Sequence, residues 1–389
     1  MTRSLPLRAD VVIIGGGIIG VSIAYHLAKK GVGEVVLLER GTMGEGATGK
    51  CAGGIRTQFS TRINIQFSLL SLEVFRRFEE EFGVDPEFRP AGYLFLASHE
   101  REWAILRANA QLMKTMGLDV ELLNPGEIRC RWPFLRADDL LGGSYTQNDG
   151  YAGPYEVLQG FAKGARRLGA MLREGAEVTG IHMKKGRVQA VETATGEKVV
   201  TPLVINAAGP YAGRVAAMVG LNLLVRPLRR QIFFTDVFEE LPSLFPIVID
   251  LEHGWYMRRE GKGLLLAGPQ DAESSFNEKV DFEAQQWTAA RSLHRVPVLE
   301  RARIARGLAG LYDISPDHHA IIGAFPERKG FICANGFSGH GFQHSPAVGI
   351  LIAELIAEGQ AKTMNIYPLR PQRFREGDFI YEPLTAFRD

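Results

Sequence analysis

The sequence predicts an α/β chain, α+β overall: a Rossmann-like nucleotide-binding domain interrupted by an inserted antiparallel β-sheet domain. Three observations predict it. Residues 10–40 read strand, glycine turn, helix, strand and acid. Strands ending on small residues and glycine recur at 203–209 and 330–341. Between these stretches the pattern changes to short alternating strands, a period-2 signature of antiparallel sheet.

Residues 10–14 are rich in β-branched side chains, as a strand buried on both faces requires. Gly15, Gly17 and Gly20 then form G-x-G-x-x-G. The first allows the turn, the second lets a pyrophosphate approach the backbone, and the third lets the helix close on the sheet. Residues 18–30, beginning at Ile18, have helical spacing, so free N–H groups and a positive dipole end face the phosphates. Residues 35–38 are the second strand, and Glu39 ends it where a carboxylate can take both ribose hydroxyls of an adenosine. A glycine triplet alone is a weak signal. The strand before it, the helix after it and the acid at the right distance make this a dinucleotide site.

Next come Arg40 and a glycine-rich loop through Ala47, Thr48, Cys51, Ala52, Gly54 and Ile55 to Arg56, whose backbone passes close to something flat or charged. Phe67, Leu70, Val74, Phe78 and Phe82 form a helical stripe over 66–82 that reads as core packing. From about residue 86 the dinucleotide features stop. A strand over 90–97, a helix over 102–116 and a short helix over 125–130 capped by Asn124 follow. Pro154 opens a helix to 168. Residues 176–183 (including Val178), 188–193 and 198–202 read as a meander, and 203–209 as a buried strand closing on Ala208 and Gly209. Strands at 231–236, 246–250, 254–258 and 263–268 and a helix over 282–296 belong to the second domain. After Gly307 the chain returns to strands at 320–323 and 330–334, a glycine loop, and a long apolar helix over 345–358. The nucleotide domain is therefore read as 1–85, 146–220 and 308–389, and the second domain as 86–145 and 221–307.

Composition narrows the function. The 389 residues are 46% hydrophobic, enough for one large core or two smaller ones. With 45 basic against 44 acidic residues, nothing suggests nucleic acid or an anionic membrane as partner. The first ten residues lack a signal-peptide core, and the most apolar stretch, 11–25, is too short to span a bilayer, so a soluble, cytoplasmic chain is expected. Three distant cysteines offer neither a disulfide framework nor a zinc site, and no metal is expected; the adjacent His318 and His319 read as an ordinary turn.

These motifs carry a resemblance. VVIIGGGIIG with Glu39, GATGKCAGGIR (46–56), VINAAGPYAG (204–213), LYDISPDHHAIIG (311–323) and GFSGHGF (336–342) are similar to those of the FAD-dependent amino-acid and amine oxidoreductases, which include D-amino-acid, glycine and sarcosine oxidases. The similarity spans essentially the whole chain and is greatest to the β-subunits of sarcosine oxidases and dye-linked L-proline dehydrogenases. It implies FAD, a two-piece insertion that forms the substrate domain, and oxidation of a C–N bond. It adds Tyr211, Gly310, Gly336, Gly339, His340, Gly341, Phe342 and Gln343 to the residues expected around the cofactor.

Departures from the family sharpen the expectation. Gly310 stands where monomeric sarcosine oxidases carry a flavin-linked cysteine, so FAD is expected to be non-covalent. Leu265 replaces a lysine that activates dioxygen, which favours a dehydrogenase. Pro154 stands near the position of a histidine that attaches FMN in sarcosine oxidase β-subunits, and Gln343 replaces a carboxylate-binding lysine. The run Gly310-Leu311-Tyr312-Asp313 lacks the carboxylate-binding arginine of glycine and D-amino-acid oxidases.

The chemistry asks for a cation on the substrate carboxylate, a dry site that keeps the amine neutral, and positive potential at the flavin. Arg56 is the candidate clamp, and Tyr256, His340 and Gln343 are the other candidate catalytic residues. The expected function is oxidation of a secondary amine or imino acid such as sarcosine, dimethylglycine or proline, with a possible partner subunit. Alternatives are a stand-alone glycine or D-amino-acid oxidase making hydrogen peroxide, and a non-catalytic FAD-bearing subunit of a larger complex.

Overall fold

The computed structural model describes residues 4–384. A six-stranded sheet runs Ile321–Ala324, Phe331–Asn335, Val204–Asn206, Val11–Ile14, Val35–Leu38, Met171–Arg173. Its strands are parallel except for the first, which pairs antiparallel with Phe331–Asn335. Met171–Arg173 is an edge strand with no counterpart in the sequence reading, being three half-buried residues too short to show a period. Helices Ile18–Lys29, Pro154–Arg167 and Gly341–Glu358 cover one face, around a core that includes Ile13, Leu37, Phe161, Val348 and Leu351. The other face packs Val12, Val36 and Val204 against the meander Val178–Lys184, Arg187–Thr193 and Lys198–Val200, an antiparallel three-stranded sheet.

The second sheet has eight strands, in the order Ile304–Ile314, Arg226–Thr235, Gly263–Gln270, Trp255–Glu260, Ile247–Asp250, Tyr93–Ala97, Gly142–Thr146, Glu121–Leu123. Two expectations are corrected here. The sheet is mixed, because Ile247–Asp250 and Tyr93–Ala97 pair in parallel. Ile304–Ile314 pairs along its length with Arg226–Thr235, so the chain leaves this sheet after Ile314, six residues beyond the boundary read at 308. The pleat sorts side chains: Leu94 and Leu96 enter the core behind the sheet, while Phe95 and Tyr93 face the nucleotide domain.

Two helices differ from their predicted bounds. The stripe over 66–82 is split into Arg62–Arg76 and Phe78–Phe82. The last long helix begins at Gly341, four residues before its predicted start, with Pro346 inside its first turns. Pro346 has no N–H for the Phe342 carbonyl, and the Ser345 hydroxyl donates to that carbonyl instead at 2.8 Å.

Candidate functional site

The N-termini of Ile18–Lys29 and Gly341–Glu358 both open on a cleft of about 310 Å³ at the carboxyl ends of the parallel strands. Ile14, Gly15, Gly17, Ile18, Glu39, Arg40, Ala47, Thr48, Cys51, Val178, Ala208, Gly209, Tyr211, Gly339, Gly341 and Phe342 line it, gathering most of the predicted cofactor residues in one place. Each glycine of the triplet has its own reason. A Cβ on Gly15, at φ +116°, would sit 2.4 Å from the Ala207 carbonyl oxygen. One on Gly20 would sit 2.0 Å from the Gly15 carbonyl oxygen, so Gly20 packs helix on turn and does not line the cleft. At Gly17 only the Thr48 hydroxyl comes near, at 3.3 Å, so a side chain there would fill space that a phosphate can use.

Glu39 is held at the strand end by two backbone N–H donors, Gly16 at 2.6 Å and Gly41 at 2.9 Å. The Thr48 hydroxyl accepts from Ile18 N at 3.0 Å. Farther along, the Arg40 guanidinium lies 3.7 Å above the Tyr211 ring. The Asn206 side chain shapes the second glycine turn, accepting from Ala208 N at 3.2 Å and donating to the Ala212 carbonyl at 2.9 Å.

A second cavity, about 110 Å³, adjoins the cleft; Cys51, Tyr312, Gly339 and Phe342 border both. Its walls include Tyr93, Phe95, Ile247, Ile249, Tyr256, Ile314 and Leu384, and its polar lining includes Arg56, His340, Gln343, Gln270, His318 and Ser338. Arg56 leaves the short strand Gly54–Ile55, which pairs with Gly150–Tyr151. Its guanidinium donates to the Gln58 carbonyl, reaches the His340 Nε2 at 3.0 Å and lies 3.8 Å over the Phe59 ring. Burial pulls it below its usual guanidinium value. The Gln343 carbonyl accepts from Arg56 N at 2.9 Å, and its amide nitrogen lies 3.1 Å from His344 Nε2. Gln343 therefore braces the arginine's backbone.

The remaining predicted residues are more dispersed. Ala52 and Gly54 line the second cavity, and Gly310 lines a small channel between Lys50 and Tyr256. Ile55, 1% exposed, is core; Gly336 packs on Ser315 and Ile321. Neither lines these cavities. Leu265 is buried beside Tyr256 and Phe95 in the sheet face behind the cavity. His318, at φ +57°, lines the cavity; His319 turns inward, with Nδ1 2.8 Å from the Asp317 carbonyl.

Several site residues were missed by sequence reasoning. Tyr312 borders both cavities, and Asp313 accepts from Gly336 N at 2.8 Å and Phe337 N at 3.1 Å, fixing the loop before the last long helix. Burial pushes the Asp313 carboxyl up to about 6. Asp149 does the same service for the arginine loop, accepting from Thr57 N at 2.8 Å and the Thr146 hydroxyl at 2.5 Å. The Asn-Asp-Gly turn at 148–150 is the one local signal for it.

A family model described as DAO, FAD dependent oxidoreductase, matches residues 10–355. "FAD-dependent oxidoreductase domain-containing protein 1" of Xenopus laevis is 34% identical across 95% of this chain and 83% of its own length. Mitochondrial sarcosine dehydrogenase of Mus musculus is 31% identical across 95% of this chain, which spans 42% of that protein. The crystal structure of L-proline dehydrogenase from P. horikoshii superposes with a TM-score of 0.91 at 31% identity, covering 97% of this chain and 100% of that one.

Proposed function

The chain belongs to the DAO family of FAD-dependent oxidoreductases, and from that premise we propose that it oxidises the C–N bond of a secondary or tertiary amine or an imino acid, of the sarcosine, dimethylglycine or proline type. FAD is its cofactor, and the cleft fits one: a glycine turn open at Gly17, an acid at Glu39 placed for a ribose and two helix N-termini border the same space of about 310 Å³. When bound, FAD supplies the acceptor for a hydride, at its N5 atom.

The observation that carries the reading is Arg56, a buried cation in a small cavity beside the cleft, facing a wall of aromatic and aliphatic side chains. Its guanidinium binds the substrate carboxylate, and the Phe59 ring and the Gln58 carbonyl hold it in place. The apolar walls Phe95, Ile247, Ile249 and Ile314 exclude water, which disfavours the ammonium form of the substrate and leaves the nitrogen lone pair free. Loss of hydride from that neutral amine leaves an iminium, which water hydrolyses after release.

Two finer points belong to the same reading. FAD is held without a covalent bond: position 310 is glycine, and burial pushes the Cys51 thiol up to about 11, which keeps it protonated and a poor nucleophile. Dioxygen is a poor acceptor on this reading, because Leu265, buried in the sheet behind the cavity, stands where monomeric sarcosine oxidases carry a dioxygen-activating lysine.

The test is anaerobic. The FAD-loaded protein is mixed with sarcosine, dimethylglycine, proline, glycine and D-alanine while flavin absorbance is followed, and air is then admitted. Bleaching by sarcosine, dimethylglycine or proline with slow recovery in air is the expected result. Rapid recovery with hydrogen peroxide would make it an oxidase, and no bleaching by any of the five would overturn the assignment.

A further inference from the structure

After its last short helix, Arg373–Glu376, the chain runs back over the second cavity as a strap, residues 378–384. The root of the strap is fixed by a buried ion pair. Arg373 donates from Nε and Nη2 to the two oxygens of Asp317, each at 2.8 Å, and Ile380 N donates to the same carboxylate at 3.3 Å. Beyond it, side chains alternate. Phe379 and Tyr381 are exposed, whereas Glu382 and Leu384 are buried.

Glu382 fastens the strap to the segment that follows Arg56. One carboxylate oxygen accepts from Ser60 N at 2.7 Å; the other accepts from the Thr61 hydroxyl at 2.9 Å and the Asn64 amide at 3.0 Å. This is the N-terminus of helix Arg62–Arg76, where a carboxylate is favoured. Leu384 N then donates to the Ser60 hydroxyl at 3.2 Å. Together these bonds deliver the Leu384 side chain, 3% exposed, into the wall of the cavity, packed in one cluster with Phe95, Ile249 and Tyr256.

The geometry points to Leu384 as a specificity-determining residue: its side chain sets the largest apolar group that a carboxylate substrate can carry, and Glu382 positions it. The inference rests on reading this cavity as the substrate site. In a cavity of about 110 Å³, an isobutyl group on the wall takes a substantial share of the room a substrate could use.

The test uses the full, FAD-loaded chain and unreactive straight-chain acids: acetate, butyrate and hexanoate. Their affinities are read from the perturbation of flavin absorbance. The expected wild-type order is acetate and butyrate bound, hexanoate rejected. Leu384→Ala tightens hexanoate by about tenfold or more and leaves acetate within about twofold; Leu384→Phe weakens butyrate by a similar factor. Glu382→Ala shifts the hexanoate-to-acetate ratio in the same sense as Leu384→Ala, and Glu382→Gln, which keeps an acceptor oxygen, restores most of the wild-type ratio. A uniform loss of affinity in the Glu382 variants would mean that the glutamate only stabilises the fold and does not position Leu384. Acetate binding with unchanged size selectivity in both Leu384 variants would overturn the inference and leave the proposed function standing. Failure of every acid to perturb the wild-type flavin would overturn the reading of the cavity, and the inference with it.

Discussion

The guanidinium of Arg56, a residue only 7% exposed, is met by a backbone carbonyl and a histidine nitrogen. A buried cation so placed gains most from an arriving carboxylate. Arg56→Met is therefore expected to weaken acetate binding and raise the KM for the amino-acid substrate by about a hundredfold, the scale set by truncating one side of a buried charge pair. Its melting temperature should stay level or rise, since a desolvated charge is removed; a collapse of the fold would show that Arg56 serves structure first. Asp149 makes a pH-dependent case. Burial lifts its carboxyl from 3.8 to about 6, so the folded chain holds a proton that the unfolded chain has released. Across that window the folded state becomes less stable as pH rises. Asp149→Asn removes this dependence and can keep the bonds from Thr57 and Thr146. The Tm of the variant minus that of the wild type should climb between pH 4 and 7 and then level; a constant difference would contradict the shift.

At the scale of elements, the site depends on two helices crossing closely enough to aim both N-termini at one cleft. Gly349 marks the crossing: a Cβ there would lie 2.4 Å from both His26 Nδ1 and the Ser22 hydroxyl. The Ser22 hydroxyl already donates to the Ser345 carbonyl at 2.8 Å, tying the helices together. Gly349→Ala is expected to cost about 1–3 kcal/mol by overpacking, read as a lower urea midpoint, and to weaken FAD binding as the two termini part. An unchanged midpoint would mean that the crossing has slack. The nucleotide-binding half of the fold was legible for local reasons: β-branched strand, glycine turn, helix and acid lie within thirty-one consecutive residues, 10–40, and each leaves its own mark. The start of the last long helix was not, because Pro346 reads as a breaker until the Ser345 hydroxyl is seen taking the orphaned carbonyl. The strand Ile304–Ile314 was missed for a similar reason: Gly307 reads as a domain boundary, but it is a packing position inside the strand, where a side chain would strike Phe233 and Val280, as one at Gly310 would strike Lys50.

On the scale of the whole molecule, the two sheets meet over the cofactor cleft. From the side of the eight-stranded sheet, the segment between Gly263–Gln270 and Phe282–Arg295 reaches across it. Phe276 stacks on Tyr211 at 4.7 Å, Arg214 lies 4.0 Å over Phe276, and Glu278 pairs with Lys50 at 3.0 Å. These contacts are local in space and distant in sequence, so no motif announces them. Phe276→Ala with Glu278→Gln is expected to speed FAD release by about tenfold, the sum of one aromatic stack, one cation–π contact and a partly exposed ion pair. Recovery of flavin fluorescence on dilution measures it, and an unchanged rate would mean that the segment does not cover the cofactor. The second cavity is likewise assembled from far-apart pieces: the loop after residue 46, the sheet face of Tyr93 and Tyr256, the end of the strand Ile304–Ile314 with His318, and Leu384. Sequence patterns singled out Arg56, through its glycine loop, and Tyr256, but gave no sign of Tyr93, Phe95, Ile249 or Leu384, which line the same cavity.

Amine oxidation and the carboxylate-binding role of Arg56 are tested together by one measurement. Flavin reduction is followed anaerobically by stopped flow with proline and with pyrrolidine, the same ring without its carboxylate, in the wild type and in Arg56→Met. Rapid reduction by proline is expected in the wild type, with a loss of about a hundredfold in kcat/KM when either the carboxylate or the guanidinium is removed and little further loss when both are. Equal reduction by proline and pyrrolidine in the wild type, or additive losses in the variant, would contradict it.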